Sequence, residues 1–103
     1  MNIINQNIEA INELCRKHKV KELYAFGSVT DENKFNEKSD VDLLVDFDKS
    51  QIELKEFADN FFDFAEELET VLGRRVDLIT LNSLRNKYFI RSVSRSKTKV
   101  YAD

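Results

Sequence analysis

Residues 39–47 read Ser-Asp-Val-Asp-Leu-Leu-Val-Asp-Phe, and the alternation within this stretch decides the fold. Val41, Leu43, Val45 and Phe47 take every second position, with Asp40, Asp42, Leu44 and Asp46 between them. Side chains of a β-strand point alternately to opposite faces, so the first set lines a core and Asp40 and Asp42 lie side by side on the other face. Acidic residues suit strands poorly, and two flanking one valine repel each other. A divalent cation offsets that penalty most simply. Paired hard oxygen ligands suit Mg²⁺, which takes one or two carboxylates and completes its octahedron with water and phosphate oxygens. A lone Asp-x-Asp is more often an ordinary solvent-facing strand, so its meaning rests on what surrounds it.

Upstream, Glu22–Leu23–Tyr24–Ala25–Phe26 reads as a short strand that stops at Gly27–Ser28. Glycine permits close backbone approach and serine offers a hydroxyl, a pair able to hold phosphate oxygens at a turn. Residues 29–39 follow as a polar loop with Phe35 as its one large apolar group. Downstream, Arg74 to Thr80 reads as a third strand carrying Asp77. If these strands are neighbours, three carboxylates converge. Asp40 and Asp42 could then ligate metal, and Asp77 could both ligate and accept a proton from an attacking hydroxyl.

Helices are expected around the strands. Ile4, Ile8, Ile11 and Cys15 recur at helical spacing and predict a helix over about 5–18. Leu54, Ala58, Phe61, Ala65, Leu68 and Leu72 predict a longer one over about 52–72, stopped by Gly73. Adding Phe57, Phe62, Phe64 and Val71 widens its apolar arc to roughly 180°, beyond the stripe of about 100° that one packed face needs. A wide buried face is the plainer reading, and a partner surface, a second copy of the chain included, is the other. A last helix over 84–95, N-capped by Asn82 or Ser83, carries Leu84, Tyr88, Ile90 and several arginines. Those arginines read as an exposed face that could meet nucleotide or an acidic partner. Lys99–Val100–Tyr101 could add an edge strand. His18 reads as exposed and favourable to the first helix's dipole, and Cys15 as packed on its apolar face.

Composition bounds the class. The 103 residues, 42% apolar and 34% charged, suit one domain spanning 1–103 with a radius of gyration of about 13 Å. No apolar run approaches the roughly 20 residues of a membrane span, and the start lacks a secretory pattern. A single cysteine fits a reducing compartment, so a soluble cytoplasmic protein is expected. The net charge of −3 argues against general nucleic-acid binding. Residues 40–69 hold eleven acidic and two basic groups, whereas 70–103 hold two and eight. An acidic centre of this kind can concentrate cations.

Gly27–Ser28, then Asp40-x-Asp42, then a lone Asp77 on a later strand is far more specific than any one part. The stretch FGSVTDENKFNEKSDVDLLVDF (26–47) resembles the minimal nucleotidyltransferase (MNT) family of the polymerase-β-like superfamily. The resemblance extends through the long helix and the VDLIT strand. It implies an α+β fold, a small mixed β-sheet with helices packed on one face (the polymerase-β-like nucleotidyltransferase palm). It also implies transfer of a nucleoside monophosphate, AMP from ATP being the expected case, to a hydroxyl with loss of pyrophosphate. By the same resemblance Gly27, Ser28 and Ser39 would bind the nucleotide. Asp40, Asp42 and Asp77 would be the catalytic residues and would hold two Mg²⁺.

Small MNT proteins are often paired with a HEPN-domain toxin in toxin–antitoxin modules, where an MntA-like member is the antitoxin. The resemblance therefore implies such a partner, with the toxin as acceptor in some cases. It departs in one place: many relatives carry Arg-Gly shortly after Gly-Ser, where this chain has Thr30, Asp31 and Glu32. Either Lys34 or Lys38 supplies the missing charge, or nucleotide is held weakly. The competing expectation is an MNT-fold binding module, weak or inactive as an enzyme, that neutralises its partner by contact. A small-molecule nucleotidyltransferase of the aminoglycoside type fits less well, since it needs a second domain.

Overall fold

A computed structural model describes residues 1–83 and 86–103. Its helices are α1 (Asn2–Gln6), α2 (Ile8–Lys17), α3 (Phe57–Leu72) and α4 (Lys87–Ser96). Its strands are β1 (Val20–Phe26), β2 (Val41–Phe47), β3 (Val76–Thr80) and β4 (Thr98–Ala102), joined in one sheet of order β3-β2-β1-β4. β1 is antiparallel to β2 and β4, and β2 is parallel to β3. Parallel neighbours require a long crossover, and α3 supplies it.

The alternation of β2 is realised directly. Val41, Leu43 and Val45 are wholly buried, and α2 and α3 cover them with Ile11, Cys15, Phe64, Leu68 and Leu72. Phe47 packs edge-on against Phe57 and Phe64 at centroid distances of 5.4 and 5.8 Å. Burial pushes the Cys15 thiol up to about 12, which suits an inert packing residue. The expected mixed sheet with helices on one face describes α1, α2 and α3. α4 lies on the opposite face, where Val93 meets Phe26 and Leu44. The radius of gyration is 13.2 Å. Among the described residues no helix is long and apolar enough to cross a membrane.

Several element boundaries differ from the sequence expectation, and side chains bonding to nearby backbone explain them. The N-terminal helix is two segments meeting at Asn7, whose Nδ2 donates to the Ile3 carbonyl at 2.8 Å. α3 begins at Phe57 rather than near 52. Asp48 accepts from the Ser50 amide at 3.1 Å and opens a tight turn at Lys49–Gln51 instead, leaving Leu54 93% exposed. α4 is capped by Asn86, which accepts from the Tyr88 and Phe89 amides, and not by Asn82 or Ser83. The expected helical positions Leu84 and Arg85 lie outside the described residues.

His18 is a correction of another kind. It is 5% exposed, not solvated. Its Nδ1 lies 2.9 Å from Asn60 Oδ1 and its Nε2 2.9 Å from Glu67 Oε2, while Asn60 Nδ2 donates to the His18 carbonyl. The wide arc of α3 is covered unevenly: Phe64, Leu68 and Leu72 are buried, but Phe62 stays 66% exposed.

Candidate active site

The β2–β3 register aligns Asp42 with Asp77, and partners in a parallel ladder project to the same face. Asp40 stands one residue ahead of β2 and is exposed. On the other side, β1 pairs Phe26 with Asp42, so the chain leaves β1 directly over that carboxylate. Gly27 makes this turn with φ of +71°, and a Cβ placed there would stand 2.5 Å from Asp42 Oδ2. Glycine is needed for both the dihedral and the approach. The Gly-Ser turn thus sits against the acidic strand, although 15 residues of chain separate Gly27 from Asp42.

The electrostatics follow from the crowding. Partial burial, then the charges of Asp77 and Asp40, push the Asp42 carboxyl up to about 6. Hard oxygen donors under mutual repulsion suit a divalent cation. Among the described residues no three acidic, histidine or cysteine side chains stand together as a ready-made cage. What the register brings together is the pair Asp42 and Asp77, not all three of the expected acids.

The loop that delivers Asp40 is clamped from β3's side. Arg74 Nη2 donates to the Ser39 carbonyl at 2.6 Å and also to the Asn36 carbonyl, with its guanidinium 4.5 Å from the Phe35 ring centroid. The Ser39 hydroxyl accepts from the Asn36 amide at 3.0 Å. Ser39 therefore shapes the turn before Asp40 and does not line the neighbouring cleft. Arg74 was not singled out from sequence, because its targets are main-chain carbonyls 35 and 38 residues away.

Beyond Gly27 and Ser28 opens a cleft of about 810 Å³, within the roughly 300–1,000 Å³ typical of small-molecule sites. Lys34 lines it, as do Ser92, Arg95 and Ser96 of α4, whereas Lys38 does not. The Gly27 amide donates to Ser96 Oγ at 3.0 Å. Ser92, Arg95 and Ser96 were missed as individuals. Their i, i+3, i+4 spacing marks one polar helix face, but only the fold says what that face meets. The arrangement offers carboxylates on one side of Gly27 and hydroxyl, amide and cationic groups on the other. Asp31 and Glu32 also line the cleft, whereas Asp40, Asp42 and Asp77 do not; Gly27 is the residue that both touches Asp42 and borders the cleft.

The profile of the nucleotidyltransferase domain family matches residues 8–100. A Methanocaldococcus jannaschii protein, MJ1379, named provisionally as a protein adenylyltransferase, is 34% identical over 96 aligned residues, covering 85% of this chain and 92% of that one. Protein adenylyltransferase MntA of Thermococcus cleftensis is 40% identical over 74 residues, covering 72% of this chain and 69% of its own. A solved complex of tri-AMPylated Shewanella oneidensis HEPN toxin with MNT antitoxin contains a chain of the same fold. Its TM-score is 0.64 at 20% identity, over 97% of this chain and 73% of that one.

Proposed function

We propose that this chain, which belongs to the nucleotidyltransferase domain family, transfers AMP from ATP to a hydroxyl on a HEPN-type partner protein and so acts as its antitoxin. The observation that carries the reading is the in-register pair Asp42 and Asp77 beneath the Gly27 turn. The names of the similar adenylyltransferases support the donor, and the HEPN–MNT complex supports the partner class.

In this reading Gly27 and Ser28 seat the triphosphate, and Asp40, Asp42 and Asp77 would hold two Mg²⁺. Metal bound there would lower the acceptor hydroxyl's pKa and neutralise charge on the departing pyrophosphate. The acceptor oxygen forms a bond to the α-phosphorus as the bond from that phosphorus to pyrophosphate breaks. We assign Asp77, exposed at the edge strand, to receive the hydroxyl's proton. Asp42, half-buried, fixes the geometry from below.

The test is incubation with α-labelled ATP, Mg²⁺ and a candidate HEPN-type partner protein, sought first among the genes beside this chain's own. Label should pass to the partner and be lost with Asp42→Asn while the complex stays intact. The second reading, neutralisation by contact alone, is favoured by Asp31 and Glu32, which line the cleft and oppose an incoming phosphate. It predicts that Asp42→Asn protects as well as wild type, with no label transferred by either.

A further inference from the structure

Asp31 and Glu32 line the same cleft as Gly27 and Ser28, so a triphosphate held there needs positive charge from elsewhere. We infer, resting on the nucleotidyltransferase reading, that Arg95 of α4 together with Lys34 of the loop grips the triphosphate. These are the two cations of the cleft, and among the described residues neither is engaged in an ion pair. The acids have other partners: Asp31 Oδ1 accepts from the Asn33 amide at 3.0 Å, and Glu32 lies 4.0 Å from the Met1 ammonium.

The rotation of α4 is fixed by its apolar side. Val93 is 2% exposed against Phe26 and Leu44, and Phe89 meets the Phe26 ring edge-on at 6.0 Å. With that side docked, Ser92, Arg95 and Ser96 can only face the cleft. Ser96 also ties the helix to the phosphate turn by accepting from the Gly27 amide. Arg95 thus sits on a helix anchored at the site itself. Its guanidinium presents the planar fork that matches two phosphate oxygens, and Lys34 adds a point charge from the loop after Ser28. The fold thereby supplies from its last helix the charge that the loop after Ser28 lacks.

The experiment is calorimetric titration of wild type, Arg95→Gln, Lys34→Gln and Arg91→Gln with a non-hydrolysable ATP analogue, with AMP and with inorganic tripolyphosphate, all in Mg²⁺. Arg91 is an exposed residue of the same helix outside the cleft and controls for loss of one charge. Arg95→Gln should weaken the ATP analogue and tripolyphosphate about tenfold. AMP should change less than about twofold, and Arg91→Gln should match wild type. Lys34→Gln, with a smaller loss of the same pattern, keeps the test open if Arg95→Gln folds poorly. Wild-type affinity in both cleft variants, or equal losses in all three, would overturn the inference while leaving the transferase reading in place. Failure of wild type to bind any of the ligands would instead remove that reading, and this inference with it.

Discussion

Gly27 carries two constraints at once, a left-handed dihedral and contact with Asp42. Gly27→Ala should therefore destabilise the fold by about 2–5 kcal/mol, combining backbone strain of roughly 1–2 with overpacking of roughly 1–3. Denaturant unfolding measures it. At Gly73, also at positive φ but with nothing near its absent Cβ, the same change should involve the backbone part alone. Asp42 gives a pH signature. Its folded carboxyl titrates near 6, above the ordinary value of 3.8. As pH rises the unfolded chain loses this proton first. Between about pH 4 and 6 the folded state thus binds more protons, and stability falls with pH. Without divalent cations, the melting temperature of wild type should drop across that window by more than that of Asp42→Asn and flatten above it. At pH 7 Mg²⁺ should raise the wild-type melt and leave the variant's nearly unmoved. Parallel curves would contradict the crowding of the three acids. The face of Asp42 was legible because strand period assigns faces without knowledge of the fold, whereas its alignment with Asp77 needed the strand order. His18 was not, since its partners Asn60 and Glu67 lie 42 and 49 residues away.

Among the elements, β2 and α3 show how far pattern alone reaches. Period two identified the buried side of β2, and helical period identified Leu68 and Leu72, while Phe64 lay outside that series in the widened arc. Within one helix, Phe64→Ala should cost about 3–5 kcal/mol through lost burial and a cavity. Phe62→Ala, at an exposed position, should change stability by less than about 0.5 kcal/mol. Comparable losses at both sites in urea unfolding would mean that the buried face is misassigned. Element ends were harder to read because Asn7, Asp48 and Asn86 bond to main chain two to four residues away. Such polar side chains compete with helical bonding, and composition does not say which of several candidates caps. The C-terminal helix was anticipated, but its placement across the acidic face depends on Val93 finding Phe26 and Leu44.

At the scale of the molecule, sheet order turns a chain of modest net charge into a polarised site. The acidic middle supplies Asp40 and Asp42, β3 adds Asp77, and the basic tail returns through α4 to bring Arg95 beside Gly27. None of the long-range closures was readable from local pattern, because the Gly27 to Ser96 bond spans 69 residues. The expected convergence was conditional on the strands being neighbours, and the β2–β3 register meets that condition for Asp42 and Asp77. The most direct test is the intact mass of the HEPN-type partner after incubation with ATP, Mg²⁺ and this chain. The account predicts a gain of whole AMP units with wild type and none with Asp42→Asn or Asp77→Asn. An unchanged mass with wild type, or equal gain with the variants, would contradict it.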